Sequence, residues 1–341
     1  EDRLAPRGGE VEAGQRKGGD QRGRPVVVLA QQSRRLRRVA LILTTSPISE
    51  MAGSEPVHPG TKAFLRELRV LGYIEGQNIL VERRSAEGHS DRFPSIVREL
   101  VSLKTDVIVS AGGDSHARRV KDTTSTVPIV MLDSVEPDKA GLVASLARPG
   151  GNVTGLTIVI DPEIEAKRLE LLREAIPSLS RVGYIGSKAA WDSPGAQALR
   201  RAATVFGVEI VHVEHKPTDY TAAFATIERQ RPDAIFASFS SETFANRRAI
   251  GEFALRARLP GMFPFSEIAE AGGLMAYGMS VPDLFRRSAH YVDKILKGAR
   301  PADLPIERPT KFDLVINRRT AEKLGLSISQ SLLLRADRVI E

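Results

Sequence analysis

The segment Ser110–Ser115 combines glycine, serine and aspartate directly after a short β-branched run, Val107–Val109. The first backbone N–H groups of a helix that starts at such a turn lack partners within the helix and attract anions, and glycine lets a ligand approach closely. The segment is therefore a candidate site for a ligand carboxylate, with Gly113 and Ser115 as contacts. An ordinary helix start capped by Ser115 fits the pattern equally well. Asp114 would repel an anion unless its side chain points away.

Similar polar turns follow other strand-like runs of the chain. Their candidate ligand contacts are Ser46, Ser134 and Glu136 in the first half of the chain and Ser187, Trp191, Asp192, Ser240 and Glu267 in the second half. A carboxylate such as Glu136 could receive a ligand ammonium, and a role as a helix N-cap is equally plausible. Trp191 is the only tryptophan. Its ring could stack on a ligand or pack within the protein.

Common catalytic and cofactor-binding signatures are missing from the chain. Neither the glycine patterns of nucleotide-binding loops nor the Gly-x-Ser-x-Gly motif of hydrolases occurs. The absence of cysteine excludes disulfides, thiol nucleophiles and thiolate metal sites. The spacing of the histidine pair His212 and His215 places the two rings on opposite faces of a strand. We therefore expect no enzyme activity, no cofactor and no metal.

The elements that would position these residues alternate between β-branched runs and helical stretches, which is typical of βαβ units on a parallel sheet. The predicted strands are Val39–Leu43, Ile79–Arg83, Val107–Val109, Ile129–Leu132, Val153–Ile158, Val182–Ile185, Ile210–Val213, Ala234–Ala237, Met262–Phe265 and Gly272–Tyr277. The predicted helices are Lys62–Leu71, Phe93–Leu103, Ser115–Thr123, Glu163–Ala175, Pro194–Phe206, Tyr220–Gln230, Glu242–Arg256 and Asp283–Lys297. The 341 residues are enough for two lobes. We therefore predict an α/β fold of two similar doubly wound parallel-sheet lobes, with a ligand cleft between the facing carboxyl ends of their strands.

The positive charge is concentrated at the N-terminus. Residues 1–38 carry ten Lys and Arg against five acidic residues, and so contribute +5 of the net charge of +7. The weakly basic remainder argues against the many phosphate contacts of duplex binding, so nucleic acid is not an expected partner. Residues 1–37 are expected to be a disordered tail or a mis-started, degenerate signal peptide, because Val28–Ala30 suits cleavage while Pro25–Ala30 is short for a signal core. A disordered cytoplasmic tail is the alternative.

Several segments resemble those of a known family, in the family's order along the chain. Gly141–Gly155 is similar to the hallmark segment of a family of ABC-transporter substrate-binding proteins with the type I periplasmic binding protein fold. Further similar segments are Leu71–Asn78, Glu270–Gly278, Ile295–Ala299 and Pro309–Asn317. The resemblance extends from about Val39 to the C-terminus.

The resemblance implies a solute-binding component of an ABC-type importer, which captures a small polar ligand by hinge closure and delivers it to the membrane permease subunits. An amino acid or related carboxylate is the expected ligand, since relatives take aromatic amino acids. Residues 38–158 and 274–300 would form lobe one, and residues 159–273 and 301–341 would form lobe two and the hinge return. The chain would thus cross between the lobes three times. Without a cysteine to carry a lipid anchor, we expect a soluble monomer in a Gram-negative periplasm.

Two other classes of protein remain as alternatives. An effector-binding transcription regulator could have a similar body, but residues 1–38 lack the apolar periodicity of a helix-turn-helix. An α/β enzyme with unrecognised chemistry is the third possibility.

Overall fold

A computed structural model describes residues 35–158, 161–216, 219–308 and 312–341. The predicted tail or signal peptide lies almost wholly outside these residues. Residues Leu36–Glu341 form one compact unit. Within the described ranges, no helix has both the length and the apolar character needed to cross a membrane.

The first lobe is built on a parallel sheet with the strand order β2-β1-β3-β4-β5. Its strands are β1 (Arg37–Leu43), β2 (Ile79–Ser85), β3 (Val107–Ser110), β4 (Ile129–Ser134) and β5 (Val153–Thr157). Its helices are α1 (Ile48–Met51), α2 (Pro59–Val70), α3 (Phe93–Ser102) and α4 (Gly113–Thr123). Alternate residues of β1 enter different cores, Val39 and Leu41 with α2, and Ala40 and Ile42 with α3 and α4. Because both faces are covered, β1 has the continuous apolar sequence typical of a buried parallel strand.

The second lobe is built on a sheet with the strand order β12-β11-β10-β9-β8-β6-β7. Its first elements are α5 (Glu163–Ala175), β6 (Arg181–Ile185), α6 (Lys188–Trp191), α7 (Pro194–Phe206), β7 (Glu209–Val213), α8 (Thr221–Gln230) and β8 (Ala234–Ala237). Next come α9 (Ser241–Ala245), α10 (Arg247–Arg256), β9 (Gly261–Phe263), α11 (Ser266–Glu270) and β10 (Met275–Gly278), after which α12 (Val281–Leu296) returns to the first lobe. The last are β11 (Asp313–Asn317), α13 (Arg318–Leu324), α14 (Gln330–Arg335) and β12 (Arg338–Ile340). Among the described strands of this sheet, β10 and β11 pair antiparallel and the others pair parallel.

The division of the chain between the two lobes differs in part from the predicted one. Strand β10 was predicted in lobe one, but it pairs with β9 and β11, because Met275 and Ala276 are buried in the two cores of the second sheet. Helix α12 does pack on α2 of the first lobe. Residues 301–307, which were predicted in lobe two, stay with the first lobe: Ile306 enters its core and Glu307 pairs with Leu156.

Several predicted elements have different bounds, and two of these differences concern the loops at the cleft. The single helix expected over Glu242–Arg256 is interrupted at Asn246, whose side chain donates a hydrogen bond to the Glu242 carbonyl at 2.9 Å. The predicted strand Met262–Phe265 ends at Phe263, and α11 begins shortly after it. Because β8 and β9 pair parallel, the loops that follow them lie side by side at the carboxyl ends of the strands.

The glycine that ends the hallmark segment has a packing reason. Gly155 has a φ of +131°, and a Cβ atom built on it would lie 2.1 Å from the Met131 carbonyl oxygen on β4. Only glycine fits this close approach of two backbones. The segment therefore fixes the edge of the first sheet, next to the point where the chain leaves it.

Candidate functional site

Three cavities lie at the carboxyl ends of the strands, lined by residues of both lobes. The apolar cavity, of about 80 Å³, has Leu43, His58, Phe239, Phe244, Phe265 and Phe285 in its wall. The glycine-loop cavity, of about 360 Å³, has Thr44, Gly112, Gly113, Asp133, Ser240 and Glu242 in its wall. The large cavity, of about 630 Å³, has Glu136, Glu165, Tyr184, Gly195, Ser238 and Phe239 in its wall. This arrangement is the cleft expected between two doubly wound sheets.

Phe239 lines all three cavities. It lies two residues after β8, its ring is 4.9 Å from the ring of Phe265, and it packs against core residues of both lobes. A half-buried ring in this position offers a flat apolar surface to a ligand. Ser240 was predicted as the contact in this loop and Phe239 was not, although an aromatic residue next to a strand's carboxyl end was the available signal.

The predicted carboxylate site at the start of α4 is occupied by the protein itself. The backbone N–H groups of Gly112 and Gly113 both donate to the Asp133 carboxylate at 2.8 Å. Ser115 is exposed and does not cap the helix, whose N-cap is Gly112. Gly112 has a φ of +142°, and a Cβ atom there would lie 2.2 Å from Thr44 Cγ2. The loop is thus shaped to hold an internal carboxylate.

The groups around this loop leave the glycine-loop cavity with acidic character. Burial raises the pKa of Asp133, and the two backbone N–H groups oppose that shift. Burial lowers the pKa of His116, which favours the neutral ring near neutral pH. Asp114 accepts a hydrogen bond from Ser134 and is 3.3 Å from the backbone nitrogen of Glu136. Glu242 lines this cavity as well, and the described lining includes no Lys or Arg, so the cavity is better suited to a cationic ligand group than to an anionic one.

Four predicted contacts do line the cleft. Ser46 lines the apolar cavity and Gly113 lines the glycine-loop cavity. Ser240 lines both of these cavities and also caps α9, accepting from the Thr243 backbone N–H at 3.1 Å. Glu136 lines the large cavity, where it forms an ion pair with Lys139 at 2.5 Å. Their ligand roles remain predictions.

The other predicted contacts do not line these cavities. Ser134 is fully buried against Asp114, and Ser187 caps α6. Asp192 forms an exposed ion pair with Lys188 at 2.9 Å. Glu267 is buried in α11 beside a separate cavity, and this burial raises its pKa. None of these four residues is among those that line the three cavities.

Trp191 is used in packing. Its ring stacks on the ring of His212, with the two centroids 4.8 Å apart. The guanidinium carbon of Arg200 lies 4.1 Å from the centroid of the tryptophan ring and forms a cation–π contact with it. The packing interpretation of this tryptophan therefore has direct structural support, and the ligand-stacking interpretation does not.

A buried ion pair at the wall of the large cavity was not anticipated. Glu165 accepts from Arg168 Nη1 at 2.7 Å, and the two side chains are 5% and 2% exposed. Arg168 Nε also donates to the Tyr277 carbonyl at 2.6 Å, which ties α5 to β10. In the sequence, Glu165 resembles any acidic residue in the first turn of a helix. No local signal distinguished it.

Two polar contacts join the lobes directly across the cleft. Thr45 Oγ1 donates to the Ser241 carbonyl at 2.9 Å. Arg247 Nη2 on α10 donates to Glu50 Oε2 on α1 at 2.7 Å, and these side chains are 9% and 26% exposed. Both contacts require the lobes to be close together, so they would be broken by a wide opening.

Comparison with known proteins agrees with this architecture. A family model described as ABC transporter substrate binding protein matches residues 57–340. A tyrosine-binding protein of Clostridioides difficile (strain R20291) is 23% identical over 280 residues, which are 82% of this chain and 80% of that protein. Members of such families bind small solutes and work with ABC permeases, typically outside the cytoplasm.

Solved structures show the same fold. A conserved domain protein from Vibrio cholerae is 25% identical with a TM-score of 0.74, over 89% of this chain and 100% of that one. The ABC domain from Streptococcus pneumonia in complex with L-Trp is 21% identical with a TM-score of 0.72, over 90% of this chain and 100% of that one. The family match covers most of the two-lobed body and supports ligand capture for transport rather than transcription regulation. The chain belongs to the family of ABC transporter substrate-binding proteins.

Proposed function

We propose that this protein captures an amino acid with an aromatic side chain in its cleft and delivers it to an ABC permease. The observation that carries the proposal is the position of Phe239, whose ring lines all three cavities between the lobes. Offset or edge-to-face contact with a ligand ring at such a site is favourable beyond simple area burial. The tyrosine-binding relative and the relative solved with L-Trp support the same ligand class.

The electrostatics of the cleft fit the ammonium group of an amino acid. Asp133 and Glu242 line the glycine-loop cavity, next to Phe239. A ligand ammonium placed there would face two carboxyl groups, and a charge-assisted hydrogen bond of this kind is among the stronger ones available. The ligand would thus be held with its ammonium in the glycine-loop cavity and its ring against Phe239.

Ligand capture would operate through hinge closure. A ligand that contacts residues of both lobes stabilises the closed arrangement over the open one, because it gains its full set of contacts only when the lobes meet. The Thr45–Ser241 and Glu50–Arg247 contacts add to the closed arrangement. The permease would then recognise the closed, loaded form.

Calorimetric titration of the full chain with L-Trp, L-Tyr, L-Phe, L-Leu and D-glucose tests this proposal. We expect the aromatic amino acids to bind and glucose not to bind. Replacing the ring by an aliphatic side chain in Phe239→Leu should weaken binding by about tenfold, equivalent to roughly 1.4 kcal/mol. Phe206→Leu is the matched control, because Phe206 packs under Arg173 at 4.8 Å and does not line the cavities. Binding of glucose but of no amino acid would refute the proposal.

We further propose that the protein acts in the periplasm as a monomer, without a catalytic step and without nucleic acid. The family's typical location outside the cytoplasm supports the first part. Fractionation of a Gram-negative host that expresses the natural gene, followed by size-exclusion chromatography of the released protein, tests the location and the oligomeric state together. Recovery in the cytoplasmic fraction would contradict the proposed location.

A further inference from the structure

The wall of the apolar cavity contains a buried histidine whose two ring nitrogens have different surroundings. His58 is 2% exposed and is the N-cap of α2. Its Nδ1 accepts from the Thr61 backbone N–H at 3.0 Å and lies 3.1 Å from the Thr61 hydroxyl oxygen. Since an acceptor nitrogen carries no hydrogen atom, the hydrogen atom of the neutral ring is on Nε2. The helix cap therefore fixes the tautomer of His58.

The surroundings of this ring keep it neutral near neutral pH. Burial, with a smaller contribution from the charge of Arg247, lowers the pKa of His58 to about 3. The ring also packs against two aromatic rings, with its centroid 5.3 Å from that of Phe244 and 5.5 Å from that of Phe285. Apolar surroundings of this kind disfavour the charged imidazolium. His58 thus presents a neutral N–H donor on Nε2.

The Nε2 hydrogen atom has no acceptor among the described residues. Every hydrogen bond of the His58 side chain to a described residue involves Nδ1. His58 lines the apolar cavity, and Nε2 is not one of the fully enclosed, unpartnered side-chain atoms in the described part of the chain, so it borders open space. The cavity volume of about 80 Å³ exceeds the roughly 10–15 Å³ that one water molecule needs. Because an unpaired buried donor is costly, this space favours an occupant with an acceptor atom.

The position of the apolar cavity indicates which ligand group supplies that acceptor. Asp133, Phe239 and Ser240 line both the apolar cavity and the glycine-loop cavity, so the two spaces adjoin. The proposed amino acid has its ammonium in the glycine-loop cavity, and its carboxylate is attached to the same carbon atom. Asp133 would repel a carboxylate alone, but the ammonium of a zwitterion lies close to both groups and offsets this repulsion.

We infer that the Nε2–H of His58 donates a hydrogen bond to the ligand carboxylate and thereby selects amino acids over amines that lack this group. This inference rests on the proposed capture of an aromatic amino acid. A hydrogen bond to a charged acceptor contributes more than one between neutral groups. An amine without the carboxylate would leave Nε2–H unpaired when the lobes close, and a site with an unpaired polar group binds such an analogue weakly.

The experiment compares L-Phe with phenethylamine, which has the same ring and ammonium but no carboxylate. Their dissociation constants are measured by calorimetry on the full chain near neutral pH. The readout is the ratio of the two constants, because a loss of folded protein affects both probes alike. In the unmodified chain, we expect L-Phe to bind at least about tenfold more tightly than phenethylamine.

Two variants of His58 separate the roles of its two nitrogens. In His58→Asn the side-chain carbonyl can still cap α2, but no atom reaches the position of Nε2, so the preference for L-Phe should fall by about tenfold. In His58→Gln the longer side chain brings an amide N–H close to the position of Nε2, so the preference should be largely restored. Since both variants lose the imidazole ring, a difference between them reports the donor rather than the packing.

Ser329→Ala is the control for the loss of a helix cap at a residue that lines none of the three cavities. Ser329 accepts from the Leu332 backbone N–H at 3.2 Å at the start of α14. The ratio in this variant should be that of the unmodified chain. NMR of the unmodified chain with labelled histidine needs no variant: L-Phe should shift the Nε2 resonance of His58 much more than phenethylamine does.

The outcomes separate this inference from the proposed function. A ratio near one in the unmodified chain, an unchanged ratio in folded His58→Asn, or equal losses in the Asn and Gln variants overturns the role of His58 and leaves the proposed function in place. Equal shifts of the Nε2 resonance with the two probes overturn it as well. Binding of none of the aromatic amino acids overturns the proposed function and this inference with it.

Discussion

The ion pair between Glu50 and Arg247 should contribute to ligand affinity although neither residue needs to touch the ligand. It joins α1 of one lobe to α10 of the other at 2.7 Å, with side chains 26% and 9% exposed. An open lobe arrangement separates the two groups, so their attraction favours closure alone. Removing both charges, in Glu50→Gln with Arg247→Met, should therefore shift the population toward the open form and weaken ligand binding.

The size of the effect follows from the partial burial of the pair. Two unit charges about 4 Å apart interact by roughly 4 kcal/mol at an effective dielectric constant of 20, which is an upper bound once desolvation is subtracted. Fully exposed pairs contribute about 0.2–1 kcal/mol, and hydrogen bonds to charged groups about 1.5–3 kcal/mol. Since Arg247 is mostly buried and Glu50 is partly hydrated, we expect about 1.5 kcal/mol, or roughly a tenfold rise in the dissociation constant.

A double-mutant cycle on calorimetric affinities provides the assay, and small-angle scattering with and without ligand reports the degree of closure. Arg248→Met with Glu252→Gln is the control, because that pair lies on the same helix at 2.9 Å but is 84% and 55% exposed. The control should change the affinity by less than about twofold. If the Glu50 and Arg247 variants bind as tightly as the unmodified chain and close to the same extent, the pair has no role in closure and the reasoning is wrong.

The remaining predictions concern stability. His58 is 2% exposed, and burial, with a smaller contribution from Arg247, lowers its pKa to about 3. Below the ordinary pKa of 6.5, His58 therefore binds a proton in the unfolded chain but not in the folded chain. The contribution of His58 to the free energy of unfolding should thus be constant above pH 6.5 and fall by up to about 1.4 kcal/mol per pH unit below it. Urea titrations at a series of pH values should show this slope in the unmodified chain, and the His58→Asn variant should lack it. Gly155→Ala should destabilise the chain by about 3 kcal/mol or more, whereas Gly151→Ala, with open space around its Cβ, should change stability by less than about 0.5 kcal/mol; equal denaturation midpoints would contradict the packing argument. Ser193→Ala removes the cap of α7, which accepts from Ala196 at 3.2 Å, and should lower the unfolding free energy by about 1 kcal/mol in the same assay.

Periodicity and turn residues were enough to predict the α/β class, because central strands such as β3 are buried on both faces and have a continuous apolar sequence. The helix Pro194–Phe206 was predicted with its observed bounds, since Ser193 caps it and Gly207 follows it in the left-handed conformation. The family resemblance implied that β10 belongs to lobe one, whereas β10 pairs with β9 of the second sheet. The apolar sequence of Met275–Gly278 suits either sheet, so it could not decide between the two lobes.

The candidate site was less predictable, for a physical reason. Strand ends identify the loops that reach the cleft, but the direction of each side chain depends on contacts between distant segments. Ser134 was selected and is buried against Asp114, whereas its neighbour Asp133 was not selected and faces two cavities. Glu165 pairs with Arg168 and packs against Gly195, and only the contact with Gly195 joins residues that are distant in the sequence.

The internal carboxylate at the start of α4 gives the cleft a simple route to a different ligand. Two convergent backbone N–H groups, from Gly112 and Gly113, are already held in an anion-binding arrangement and are neutralised by the single side chain of Asp133. A small residue at position 133 would release both donors without any change in the backbone. One substitution could therefore change which ligand charge this part of the cleft favours, while the strand order of both sheets stays the same.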